Sequence, residues 1–184
     1  MLSQLLEKIA RSLEEQGIDY MIIGGQAVLV HGQPRLTQDI DITLGIGPDR
    51  LADMLALMEE LGWTVLVEEP EKFVHQTLVL PVQEPNSGIR LDFVFSFSPY
   101  EHQALQRVHK ITIGQTQVRF ASPEDLIIHK MIAGRPRDLE DVKGILIKHS
   151  DIDQDYIRHW LKQFEDTLAE PFVKRFEQLW EESR

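Results

Sequence analysis

The 184 residues contain no cysteine, so a disulfide framework and a thiolate metal site are both excluded, and nothing in the chain calls for an oxidising compartment. No stretch is apolar enough to span a bilayer. The start, Met1 to Lys8, lacks the basic region and continuous apolar core of a signal peptide. Leu2, Leu5, Leu6, Ile9 and Leu13 fall instead at amphipathic helical spacing, and the cytoplasm is the expected location. Positive charge is also scarce. Nineteen Lys and Arg stand against 30 Asp and Glu, a formal net charge of −11, which argues against strong sequence-blind binding to nucleic acid, because that binding needs many basic groups on phosphates. The seven histidines form no convincing ligand pair, so zinc is not expected. Repeats and low-complexity segments are absent. With 42% hydrophobic residues, the length suits one well-filled core plus an appended helical piece.

What the chain does have is a pair of aspartates one residue apart, in Thr37-Gln38-Asp39-Ile40-Asp41-Ile42-Thr43-Leu44. Strict alternation puts Asp39, Asp41 and Thr43 on one side and Ile40, Ile42 and Leu44 on the other, the period of a half-buried strand. Both carboxylates then share a face, about 7 Å apart, and repel unless compensated. A hard divalent cation with oxygen ligands, Mg²⁺ above all, is the economical compensation.

The surrounding pattern gives these acids a setting. Tyr20 to Ile23 is a short apolar run closed by Gly24-Gly25, after which Gln26 to His31 reads as helix and Gly32 to Leu36 as loop. A helix is predicted from Pro48 to Leu61. Segments 63–67 and 73–82 have strand composition, and Glu84 to Gly88 is a turn cluster. Ile89, Leu91, Phe93 and Phe95 then alternate, so that Arg90 and Asp92 face the other way and a second strand offers a carboxylate. Ser98-Pro99 and Ser122-Pro123, each with an acid three residues after the serine, read as helix starts around a small hairpin at 111–120. Gly134-Arg135-Pro136 interrupts the second of these helices. A further helix is predicted from near Asp138 to Lys148, and two more close the chain. Asp151-Ile152-Asp153 repeats the acid spacing but precedes a helix, where capping is the better account.

Asp39 and Asp41 on one strand and Asp92 on another have the composition to hold Mg²⁺ or Mn²⁺ against a nucleoside triphosphate, with Asp92 also suited to take a proton from an attacking hydroxyl. Glycines at 24 and 25 let backbone approach phosphate, and the helix behind them offers free N–H groups to an anion. Lys130, four residues after Leu126 on one helix, is placed to cover apolar surface with its stem and keep its charge in water. Arg135 and Arg137 flank Pro136 at the helix break, where a substrate role is modestly favoured. His31 reads as a helix-end residue, and the stripe of Tyr156, Trp160 and Phe164 as core rather than a base-stacking platform.

Gly-Gly, helix, D-x-D strand and a later strand with one outward acid resemble the DNA polymerase β-like nucleotidyltransferase fold. Further motifs resemble its abortive-infection (AbiEii-like) branch: Ile23-Gly24-Gly25-Gln26-Ala27, His31-Gly32, Arg35-x-Thr37-x-Asp39-Ile40-Asp41, and Ser122-Pro123-Glu124-Asp125-Leu126 through Lys130 to Arg135, Arg137-Asp138 and Asp141. The resemblance covers about residues 18–148 and implies an α+β fold, a mixed sheet flanked by helices, with a nucleotidyltransferase core at 1–120 and a helical segment at 121–184 packed on it. It implies Asp39, Asp41 and Asp92 as metal ligands and catalytic acids, Gly24 and Gly25 as lining the triphosphate, and for Lys130 the alternative of a phosphate contact; Thr37, Arg135 and Arg137 join the expected nucleotide contacts by their own positions. Gly25 stands where many relatives of the wider fold carry serine, and Thr37 is the hydroxyl offered in its place. The implied activity is transfer of a nucleoside monophosphate from an NTP to a hydroxyl, on RNA, protein or a small molecule. Several members of the branch are toxins restrained by an antitoxin protein. The competing expectation is a decayed site serving as a nucleotide-sensing or partner-binding module.

Overall fold

The computed structural model describes residues 1–34, 37–96 and 98–184. Arg35 and Leu36, which belong to the expected loop and to the Arg35-containing motif, lie outside the described residues, as does Phe97. Among the described residues the elements run α1 (Leu2–Glu15), β1 (Tyr20–Ile23), α2 (Gly24–His31), β2 (Asp39–Leu44), α3 (Leu51–Leu61), β3 (Thr64–Val65), α4 (Pro70–Thr77), β4 (Val79–Gln83), β5 (Arg90–Phe95), α5 (Pro99–Gln106), β6 (His109–Ile113), β7 (Thr116–Phe120), α6 (Pro123–Ala133), α7 (Pro136–Lys148), α8 (Gln154–Leu168) and α9 (Phe172–Glu182). The fold is α+β. Among the described residues, no helix is long and apolar enough to cross a membrane.

Contacts divide the chain into two compact units, residues 1–26 with 37–120, and residues 27–36 with 121–184. The first holds a mixed sheet of seven strands in the order β3-β4-β5-β2-β1-β7-β6. Its centre is the parallel pair β2–β5, flanked by antiparallel β4 and β1. One face of these strands is apolar: Tyr20, Ile22, Ile40, Ile42, Leu44, Leu80, Leu91, Phe93 and Phe95 are all essentially inaccessible to water. Burial at about 25 cal/mol per Å² of apolar surface makes this face the dominant stabiliser of the sheet. Because side chains alternate, fixing Ile40, Ile42, Leu91 and Phe93 inward fixes Asp39, Asp41, Arg90 and Asp92 on the opposite face.

The second unit is helical, with α6 in contact with α7, α8 and α9. Leu126, Ile127, Met131, Val142, Ile145, Ile157, Leu161 and Phe176 are fully buried. The end of α2 belongs here too. His31 Nε2 donates to the Ala121 carbonyl at 2.7 Å, Lys148 Nζ donates to Val30 O at 3.0 Å, and His149 Nε2 donates to His31 O at 3.0 Å. Those three bonds explain why residues 27–36 group with the C-terminal helices rather than with the sheet. His31 thus ends a helix, buried, with its ring on the backbone.

Several sequence expectations need correction. Residues 70–77 form helix α4, so the strand expected at 73–82 is confined to its second half, and β4 runs Val79–Gln83. Pro70 supplies the first helical turn, Val74 is the buried anchor, and Leu78 caps the helix in the left-handed region at φ 59°. The strand expected at 63–67 shrinks to Thr64–Val65. The helix expected from Pro48 opens as a 3₁₀ turn, Pro48–Arg50, before α3, and α7 begins at Pro136, two residues earlier than expected. The expected hairpin forms as β6–β7, and Phe120 pairs in parallel with Ile22, which adds it to the main sheet. Both serine caps form, with Ser98 Oγ accepting from Glu101 N and Ser122 Oγ from Asp125 N, and Asp153 caps α8 through Tyr156 N. Ile157 and Leu161 are the core of α8, while Tyr156, Trp160 and Phe164 are half-buried beside them.

Candidate active site

The site is built by register. In the parallel pair β2–β5, Asp39 is opposite Arg90 and Asp41 opposite Asp92. Residues directly opposite in neighbouring strands point to the same side at about 4.8 Å spacing, so Asp39, Asp41 and Asp92 share one face. In the antiparallel pair β1–β2, Ile23 is opposite Asp41, and the chain leaves β1 directly into Gly24.

Gly24 sits at φ +63°, and a Cβ there would overlap the Asp41 carboxylate, 3.0 Å from its Cγ. No other residue type leaves the space that Asp41 occupies. The left-handed turn starts α2 against this carboxylate, so the positive end of the helix faces a negative group. Asp39 is positioned through its backbone. Its carbonyl oxygen lies 3.5 Å from the donor Gln26 Nε2 and 3.3 Å from Thr37 Oγ1, and the Thr37 hydroxyl is also 3.4 Å from Asp39 Oδ1. Asp39 is exposed, and Asp41 and Asp92 are half-buried.

Asp92 carries a partner that sequence reasoning did not assign. Arg90 Nε and Nη2 both reach Asp92 Oδ1, at 3.0 and 2.9 Å. The signal was present, a cation two residues before an acid on one strand face, but alternation alone does not say whether two side chains meet. Beside Arg90, Gln38, Asp39, Ser87, Gly88 and Ile89 line an open cleft of about 470 Å³. Its far wall is the β4–β5 turn, which Glu84 ties down by accepting from Asn86 N at 3.1 Å and from Ser87 N at 2.7 Å. Above all the Ser87 hydroxyl, and then these amides, hold the Glu84 carboxyl below its ordinary value despite its burial.

The donor chemistry suits a hard divalent cation: three carboxylates on one face, with neither thiolate nor imidazole among them, and a glycine cradle that admits the Asp41 head group. As the side chains stand, with Arg90 on Asp92, no three His, Cys, Asp or Glu among the described residues are gathered at ligating distance.

The second unit holds the other residues picked from sequence. Lys130 is buried, its Nζ 2.9 Å from Asp138 Oδ1 and 3.0 Å from Asp141 Oδ2, so its charge does not reach water along an apolar stem. Asp138 also accepts from Arg135 N at 3.2 Å and Arg135 Nε at 2.7 Å. Burial raises the Asp138 pKa, but the bonds from Arg135 and Lys130 outweigh it and hold the carboxyl below its ordinary value. Arg135 and Arg137 are exposed. One turn before Lys130, buried Asp125 accepts from Ser122 Oγ and Tyr156 Oη, both at 2.7 Å, and burial pushes the nearby His129 imidazole below its ordinary value.

A family model described as nucleotidyltransferase of unknown function (DUF6036) matches residues 1–184. No curated protein matches the chain in sequence. Among solved structures, the antibiotic-resistance factor ANT(2'')-Ia has 19% identity and a TM-score of 0.61, over 91% of this chain and 93% of that one. An antigenic nucleotidyltransferase-like protein from Paracoccidioides brasiliensis has 17% identity and a TM-score of 0.56, over 95% and 92%. The lincosamide antibiotic adenylyltransferase LnuA has 16% identity and a TM-score of 0.52, over 75% and 92%. At these identities the likeness is one of fold.

Proposed function

This chain belongs to the DUF6036 family of nucleotidyltransferases, and on that premise we propose that it moves a nucleoside monophosphate from an NTP to a hydroxyl acceptor in a metal-dependent reaction. The observation that carries the reading is the register of Asp41 against Asp92, with Asp39 two residues along and the Gly24 backbone against Asp41. Asp39, Asp41 and Asp92 are the residues that would hold Mg²⁺ or Mn²⁺. A cation bound there offsets the charge of the triphosphate and of the departing pyrophosphate.

The chain's own residues do the rest. Gly24 and Gly25 let the backbone approach the triphosphate closely, and the first N–H groups of α2 donate to its oxygens. Gln26 and Thr37 fix the backbone of Asp39 and thereby the direction of its carboxylate. Asp92 takes the proton of the attacking hydroxyl as its oxygen bonds to the α-phosphate. In-line geometry follows from holding nucleotide and acceptor together on the polar face of the sheet. In the helical unit, Lys130 serves through Asp138: it fixes the carboxylate that in turn fixes Arg135. Arg135 and Arg137 are the exposed cations assigned to nucleotide or acceptor oxygens.

A small molecule is the acceptor we favour. The net charge of −11 disfavours a polyanionic acceptor, and two proteins of this fold act on small molecules: ANT(2'')-Ia is seen with adenylyl-2''-tobramycin, and LnuA is a lincosamide adenylyltransferase. The motifs of the abortive-infection branch, with exposed Arg135 and Arg137, support the second reading, an RNA-directed toxin with an antitoxin partner. Incubating the protein with each α-labelled NTP, Mg²⁺ or Mn²⁺, and in turn hydroxylated antibiotics, total RNA and lysate protein reads out the acceptor. Label on a small molecule supports the first reading, and label on RNA the second. Tight NTP binding with no labelled product overturns both in favour of a sensing module.

A further inference from the structure

We propose that Arg90 is an internal counter-ion for Asp92 that yields the carboxylate to the metal more readily once nucleotide arrives, and then itself binds an anionic oxygen of that nucleotide. The proposal rests on the reading of Asp39, Asp41 and Asp92 as the metal-holding face. Without a compensating charge, three carboxylates on neighbouring strands repel. Arg90 supplies that charge from inside the site, because register places it opposite Asp39 and strand periodicity places it on the same face as Asp92. Both of its contacts fall on one oxygen, Asp92 Oδ1.

Exposure decides how strongly it holds. The Arg90 side chain is 53% exposed and that of Asp92 18%, so this is a largely solvated pair. Pairs of that kind shift an equilibrium by about five-fold at most, which is enough to bias Asp92 and too little to lock it. Asp92, held this loosely, would turn from the guanidinium toward a divalent cation bound with a triphosphate. Arg90 lines the 470 Å³ cleft with Asp39, Gln38 and the tied-down turn Ser87–Ile89, so a released guanidinium stays beside the bound nucleotide. A planar fork of donors suits phosphate oxygens there. The consequence is synergy: metal binds weakly alone and better with nucleotide.

The test is Mn²⁺ binding followed by electron paramagnetic resonance, with and without a non-hydrolysable NTP analogue, on the wild type, Arg90→Met, Arg90→Lys and Asp41→Asn. In Arg90→Met, Mn²⁺ affinity without nucleotide is expected to rise two- to five-fold while affinity for the analogue falls at least three-fold. These are opposite signs that a general structural defect does not produce. Arg90→Lys is expected to recover much of the analogue affinity by restoring the charge. Mn²⁺ affinity that is unchanged or lower in Arg90→Met, while Asp41→Asn abolishes it, overturns the counter-ion role and leaves the metal site standing. Unaltered Mn²⁺ binding in Asp41→Asn removes the metal-site reading itself.

Discussion

Asp41 and Asp92 stand directly beside one another on parallel strands, while the far side of Asp41 is closed by the backbone of Gly24. That arrangement sets charge against charge in a confined space, and its first consequence is a separation of stability from function. Asp41→Asn removes one of the repelling charges, so folding stability is expected to stay level or rise, while metal-dependent NTP binding is lost. Thermal melting and nucleotide titration with and without Mg²⁺ check the two halves, and strong destabilisation would instead assign Asp41 a structural hydrogen-bonding role.

Asp92 differs from its neighbour in its expected task. If it receives the proton of the acceptor hydroxyl, Asp92→Ala lowers turnover by 10²-fold or more, on the scale of a lost general base, with a much smaller effect on nucleotide affinity. Equal losses in rate and affinity would make it a ligand only.

Gly24 offers an internal control through Gly62. Both have positive φ, +63° and +69°, but Gly62 has open space where a Cβ would go, whereas Gly24 has the Asp41 carboxylate. Gly62→Ala is expected to cost about 1 kcal/mol for backbone conformation alone. Gly24→Ala should cost more, by about 1–3 kcal/mol of overpacking, and abolish nucleotide binding as Asp41 is pushed aside. Equal melting temperatures for the two variants would contradict the close approach.

Lys130 lies between Asp138 and Asp141, all three nearly inaccessible. Lys130→Met removes the buried cation shared by the two carboxylates, while Asp138 keeps Arg135, and a loss of about 3 kcal/mol in urea unfolding is expected. Replacing all three by apolar residues of similar volume should recover most of that loss.

Acid dependence follows from the same carboxylates. Asp138 and Glu84 both titrate below their ordinary values in the folded chain, so the unfolded chain binds protons first as pH falls. Their stabilisation is complete above the unfolded-state values near 4 and is lost as pH drops through the lower folded ones. Stability should therefore decline below about pH 4. Glu84→Gln is expected to shallow that decline, as measured by circular dichroism against pH.

The parts of this fold that were legible from sequence are those governed by nearest neighbours. Alternation located β2 and β5 and the face of their acids, a serine followed by proline and then an acid located the starts of α5 and α6, and a capping aspartate that of α8. Helix α4 was not legible because it is eight residues long with one buried side chain, so few apolar positions mark it, and the apolar β4 that follows blends into it. Arg90 on Asp92, Lys130 between two aspartates, and the His31 ring on Ala121 are contacts of specific side chains. A pattern of apolar and polar positions assigns such residues to a face but does not pair them. The same limit applies to Phe120 beside Ile22, which joins the hairpin to the sheet across nearly a hundred residues of chain.

The order of the strands has one more consequence, for strand addition at the margins of the sheet. Open sheets invite a foreign strand at their margins, where unpaired amides and carbonyls form a template. Here the first margin is β3, only the two residues Thr64 and Val65, and the other is β6, where His109, Lys110 and Thr112 are exposed and leave no continuous apolar ribbon. Strands β2 and β5, whose inner faces carry the apolar side chains, lie in the interior of the order, sealed on both sides by partners. A strand-adding aggregation route therefore has little to grip until the sheet itself opens.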